Sequence, residues 1–165
     1  MPNLEGMDTT TSTPTAGMPT TAGSPATATL AVANCFLVVD DHEKALTFYR
    51  DVLGFTVTKD VSMAEFRWLS VATPLQPELE ITIQSVGGGP GVSEEDRAAI
   101  DTLLAKGLLT PLIFRCDDVD AEFARISAAG AEVLQEPIDQ PYGVRDCAFR
   151  DPAGNMIRFS SERFG

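Results

Sequence analysis

Three charged residues lie inside segments that otherwise read as apolar strands, and each is of a type that does chemistry. In Leu79-Glu80-Ile81-Thr82-Ile83-Gln84, strand alternation sends Leu79, Ile81 and Ile83 to one face and Glu80, Thr82 and Gln84 to the other. A carboxylate there can orient a ligand or take a proton. The same phase places Ile113 and Arg115, with Pro111, opposite Leu112, Phe114 and Cys116. It sets Met156, Arg158 and Ser160 against Ile157 and Phe159. Arginines so placed can receive a carboxylate, a phosphate or a polarised carbonyl. Asn34 and Phe36 oppose Cys35, Leu37 and Val39. Trp68, the single tryptophan of the chain, shares a face with Phe66 and Ser70 and offers a stacking surface for a flat ligand. Tyr142, in Pro141-Tyr142-Gly143, is expected at a rim. At least half of Phe36, Phe66, Trp68, Tyr142 and Phe149 are expected to be core.

Other reactive types carry less. His42, the only histidine, falls at a helix start with no residue at ligand spacing, so it reads as a solvated helix-start residue. Cys35, Cys116 and Cys147 are odd in number, widely spaced and without CxxC, which fits reduced structural thiols in a cytoplasm. Gly87-Gly88-Gly89-Pro90-Gly91 lacks the residues that make a glycine loop cradle phosphate and reads as a connector.

The elements that must position these residues come twice. A strand over Ala33–Val39 ends at Asp40-Asp41. A helix follows, with Ala45, Leu46, Phe48, Tyr49, Val52 and Leu53 on one face, Asp41 as its cap and Gly54 as its stop. Strands are expected over 55–60, 65–71 and 79–84. After the connector, Ser93 caps a helix over 94–106. The order then repeats: a strand over 111–116, Asp117-Asp118, a helix with Val119, Phe123 and Ile126 on one face, Gly130, and strands over 132–135, 145–150 and 156–160. The last two are joined by Asp151-Pro152-Ala153-Gly154-Asn155. Repeats fix architecture. Two tandem βαβββ modules, an α+β fold, are expected to form a cup-shaped mixed sheet, with one helix per module covering one face and the concave faces left free for a ligand. The expected division is a low-complexity tail over 1–29, a domain over 30–165, module one over 30–86, connector and helix over 87–109, and module two over 110–162.

Composition narrows the partners. With 24 acidic against 12 basic residues, a net charge of −12 disfavours phosphate backbones and anionic membrane surfaces. No apolar run approaches the roughly 18 residues of a membrane span. Residues 1–29 lack both the basic start of a secretory signal and the arginines of a transit peptide, so a cytoplasmic protein is expected.

The run VVDDHEKALTFYRDVLGF near the start and PYGVRDCAFRDPAGNMIRF near the end resemble the first module and the close of the second module of the vicinal-oxygen-chelate superfamily, the glyoxalase, bleomycin-resistance and extradiol-dioxygenase-like proteins. The resemblance covers residues 30–162. It implies a homodimer with a cup shared between modules, and lyase, isomerase, epimerase, dioxygenase, transferase or drug-sequestering activity. In metal-using relatives the ligands come from the first and fourth strands of each module, here Asn34, Glu80, Pro111 and Arg158. Of these only Glu80 is a good ligand, whereas a catalytic ion needs about three, so no metal site and no cofactor are expected. If the cup is shared, Glu80 and Arg158 lie in one cavity near Arg115. They either pair with each other or bind a ligand, with Glu80 orienting it or serving as a base. The expected function is metal-independent binding of a small organic molecule by Asn34, Phe36, Trp68, Glu80, Arg115, Tyr142 and Arg158. The alternatives are an enzyme of the same superfamily, either metal-dependent or using Glu80 as base, and a structural dimer with a vestigial cup.

Overall fold

A computed structural model of the chain describes residues 30–64, 66–88, 91–109 and 111–162. The tail expected over 1–29 lies outside the described residues. From Ala31 onward the chain forms one compact unit.

Strand β1 (Asn34–Val39) leads into α1 (His42–Leu46), which starts where Asp41 accepts hydrogen bonds from the backbone N–H groups of Glu43 and Lys44 at 2.9 and 3.1 Å. Two of the orphan donors of the first turn are thereby satisfied. The single helix expected here changes pitch: Thr47–Val52 is π-helical, with Leu53 N–H donating to Phe48 C=O. The wider turn still buries both Phe48 and Tyr49. Apolar spacing does not reveal it, because one extra residue per turn leaves the same stripe facing inward. Gly54 ends the segment at φ +79°, and Gly130 ends the corresponding helix of module two at +85°, a conformation that costs other residues strain.

Strands β2 (Thr56–Met63), β3 (Phe66–Thr73) and β4 (Gln76–Ser85) complete a sheet of order β1-β4-β3-β2. Only β1 and β4 run parallel. Strand β4 begins earlier than expected, through Pro77. A proline is tolerated at that end because β1 pairs with β4 only from Glu80 onward, so no ladder bond is lost to it. After α2 (Glu94–Ala105), capped by reciprocal bonds between Ser93 and Asp96, module two repeats the plan. It comprises β5 (Leu112–Arg115), α3 (Val119–Ala128), β6 (Glu132–Asp139), β7 (Val144–Arg150) and β8 (Met156–Glu162), in the order β5-β8-β7-β6. The expected α+β fold of two βαβββ modules is what the chain adopts.

The inward faces of both sheets share one core. Leu37, Val39, Tyr49, Leu69, Val71, Ile81 and Ile83 of module one pack into the same cluster as Val119, Ile126, Cys147, Phe149, Ile157 and Phe159 of module two. Each large side chain so buried contributes about 2 kcal/mol. Phe55 meets Phe114 edge-on, with ring centroids 5.2 Å apart, and Arg125 donates to the Val52 carbonyl. A buried polar clamp adds to the join. Asp151 accepts from the backbone N–H groups of Ala153, Gly154 and Asn155, from the Asn155 amide and from the Tyr49 hydroxyl at 2.8 Å, while the Asn155 amide also donates to Val38 C=O.

Candidate functional site

With the helices and core on one side, the other face of each sheet carries the residues singled out by alternation. On module one, Asn34 Nδ2 donates to Thr82 Oγ1 at 2.7 Å, and the hydroxyls of Thr82 and Ser70 share a bond at 2.9 Å. Above this floor Phe36 is half exposed and stands edge-on to Trp68, centroids 6.2 Å apart. Phe66 approaches Trp68 at 6.0 Å. Asn34, Phe36 and Trp68 are therefore brought together. At the rim of this group Glu80 is bound to Lys59 Nζ at 2.7 Å. That bond, aided by Thr58, holds its carboxyl below the ordinary range against the opposing effect of desolvation. A general base works best with a pKa near the working pH, so Glu80 is poorly tuned for proton abstraction.

On module two Arg158 donates to Asp146 at 2.7 Å and to Gln135 at 3.2 Å. The expected alternative of a Glu80–Arg158 pair is not formed: the two residues lie on different sheets, and each has its own partner of opposite charge. Burial works to raise the Asp146 carboxyl, but hydrogen bonds from Gln140, Gln135 and Arg158 outweigh it and leave it lowered. Asp146, Gln135 and Gln140 are not among the residues expected at a site from the sequence. The signal was present for Asp146, which alternation places on the face of Ala148, the register partner of Arg158. Gln135 was hidden by the register shifts that flank it in β6, which break the alternation that a linear reading assumes, and Gln140 by its place in the turn after that strand. Arg115 stands on the same face as Arg158, exposed. It is the one arginine among the described residues whose side chain has no hydrogen bond or ion pair. Tyr142 is exposed in the turn between β6 and β7.

His42 Nε2 lies 3.2 Å from Ile83 C=O, a contact that anchors the start of α1. The three thiols are free and all are raised by burial, Cys147 to about 11. A cleft of about 540 Å³ lies elsewhere, on the helix side between Phe48, Val52, Ala105, Ala129, Arg150 and Pro152. It contains none of Asn34, Phe36, Trp68, Glu80, Arg115, Tyr142 and Arg158.

The donor chemistry bears on a metal. At the four positions that metal-using relatives employ, this chain presents an amide, a carboxylate already bonded to Lys59, a proline and a guanidinium. Two oxygens and a fixed positive charge do not make a divalent site. Among the described residues no three His, Cys, Asp or Glu side chains are grouped to hold an ion.

Comparison with known proteins agrees with this architecture. The chain is 27% identical over 122 residues to the uncharacterized protein YurT of Bacillus subtilis (strain 168), covering 74% of this chain and 91% of that one. The crystal structure of UcmS2 superposes with a TM-score of 0.73 at 32% identity, over 79% of this chain and 97% of that one. TnmS3, an antibiotic binding protein from Streptomyces sp. CB03234, superposes with a TM-score of 0.63 at 29% identity, over 81% and 96%. The family model described as Glyoxalase/Bleomycin resistance protein/Dioxygenase superfamily matches residues 31–159. The repeated modules, the two four-stranded sheets and this match together place the chain in the Glyoxalase/Bleomycin resistance protein/Dioxygenase superfamily.

Proposed function

We propose that the protein binds a small organic molecule on its concave sheet faces without a metal and without turnover. The observation that carries this reading is the face of module one, where an exposed aromatic ring and the only tryptophan flank a polar floor. Such a surface favours a largely apolar ligand fixed by a few polar contacts. The unsuitable donor set and the lowered Glu80 carboxyl argue against a metal-dependent or Glu80-based enzyme. The likeness to TnmS3, an antibiotic binding protein, favours a binder over a catalyst. Arg115, unpaired among the described residues, supplies a cation for an acidic group of the ligand.

A second copy of the chain completes the enclosure in this proposal. The two helix layers meet in one core, so the concave faces remain open and carry half-exposed or exposed Phe36, Val61, Met63 and Ile113. Among the described residues no helix is long and apolar enough to cross a membrane, and the acidic balance suits a cytoplasmic protein that does not bind nucleic acid. The test is elemental analysis of untagged protein after incubation with Zn, Ni, Mn and Fe(II), alongside a thermal-shift screen of amphipathic aromatic compounds. Metal-free protein that is stabilised by compounds supports the proposal. About one ion per chain, lost in Glu80→Ala, overturns it in favour of a metalloenzyme.

A further inference from the structure

Register fixes a small grid of side chains on the concave face of module two. Arg115 on β5 faces Ser160 on β8, and Ser160 faces Asp146 on β7; two residues along, Ile113 faces Arg158. Neighbouring strands lie about 4.8 Å apart and two residues advance about 6.6 Å. The backbones of Arg115 and Arg158 therefore stand roughly 8 Å from each other, a separation that two arginine side chains can close on one small anionic group. Arg115 is exposed and has no hydrogen bond or ion pair among the described residues. In Arg158, Nη1 is occupied, donating to Asp146 Oδ2 at 2.7 Å and to Gln135 Oε1 at 3.2 Å. Its Nη2 has the Met156 sulfur at 3.9 Å, and a thioether is a weak acceptor. The Arg158 side chain keeps 21% of its surface exposed, whereas that of Asp146 keeps 2%. Asp146, also bonded by Gln135 and Gln140, is thus a brace behind the guanidinium and not a group that a ligand reaches. Two arginines against one carboxylate leave one unit of positive charge in this grid, within a chain whose net charge is −12. Exposed Ile113 and exposed Ile138, the register partner of Asp146, set apolar surface on either side of it.

We infer that the ligand is an apolar monocarboxylic acid, its carboxylate received jointly by Arg115 and Arg158 and the apolar part next to it lying on Ile113 and Ile138. The inference deepens the binder reading and rests on it. A guanidinium fork matches the two oxygens of a carboxylate, and the single leftover charge matches a monoanion. The second charge of a phosphate ester would go uncompensated and would stand close to Asp146.

Calorimetric titration with 2-naphthoate, 2-naphthamide and 2-naphthyl phosphate tests this, at about pH 8, where the phosphate ester is dianionic. The acidic chain as a whole opposes any anion, so a preference for the acid has to come from local groups. 2-Naphthoate should bind wild type about tenfold more tightly than the isosteric amide, and the phosphate no more tightly than the acid. Arg115→Gln, at an exposed position without hydrogen bond or ion pair, should keep the fold and cut the advantage to about twofold. Arg158→Gln combined with Asp146→Asn removes the guanidinium together with its counter-charge, so that no buried carboxylate is left unpaired, and should also reduce the advantage. The comparison on wild type and Arg115→Gln stands even if the double variant fails to fold. Equal binding of acid and amide to wild type, tighter binding of the phosphate, or an advantage that survives Arg115→Gln overturns this inference and leaves the binder reading intact. Failure of all three compounds to bind overturns both.

Discussion

At the residue scale, the carboxylates that matter most are those of module two. Asp151 receives five hydrogen bonds from the Tyr49 hydroxyl, the Asn155 amide and three backbone N–H groups. Tyr49→Phe removes one donor and leaves the rest, so a loss of about 1 kcal/mol is expected in urea unfolding. Asp151→Ala strands all the donors at once and should cost roughly 3 kcal/mol or more. Asp146 sets an acid limit. Its folded pKa lies below the ordinary value, so its contribution is present above the ordinary carboxylate range and is lost as pH falls through the folded pKa. The stability difference between wild type and Asp146→Asn should therefore be widest near neutrality and shrink in melts below about pH 4. Alternation made Asn34, Phe36, Trp68, Arg115 and Arg158 legible as residues opposite the core, because a strand's period is rigid. It could not supply their partners. Lys59 reaches Glu80 from the far side of β3, across a bulge between Val57 and Lys59, and Gln140 reaches Asp146 from the β6–β7 turn. Such contacts depend on register, which no single strand encodes.

At the element scale, the helix α2 is held through a close approach rather than a broad apolar face. Only Leu104 of α2 is buried, and its carbonyl lies against Gly154 of the β7–β8 turn, where φ is +113°. A methyl group at Gly154 would collide with that carbonyl and would also strain the backbone. Gly154→Ala is expected to destabilise by about 2–3 kcal/mol and to speed proteolysis of the 87–109 segment, whereas Gly91→Ala, with open space around it, should show the φ penalty alone. Helix caps and stops were legible here because they are local: Asp41 and Ser93 cap as their positions suggest, while Asp118, not singled out as a cap from the sequence, does the same for α3. The π-helical turn at Thr47–Val52 and the early start of β4 were not legible, since one preserves the apolar stripe and the other needs knowledge of where β1 stops pairing.

At the scale of the whole molecule, repetition of the Asp-Asp, helix and glycine pattern disclosed two modules, but not that their helix sides would fuse into one core and leave both concave faces outward. That outcome follows from packing. It is also why Glu80 and Arg158 take separate partners within a chain. A homodimer is expected by analytical ultracentrifugation, at twice the 17.6 kDa chain mass. Ile113→Asp, at an exposed position beside Arg158 in the register, should weaken it about tenfold, or roughly 1.4 kcal/mol. Unchanged association in that variant would separate the dimer from the concave faces. Trp68 is the only tryptophan of the chain, so its fluorescence reports the proposed site without labelling. The most direct measurement is a fluorescence titration across planar aromatic compounds, with and without EDTA. The account predicts saturable quenching at about one site per chain, unaltered by EDTA. Quenching that EDTA abolishes, or no saturable quenching by any compound, would contradict it.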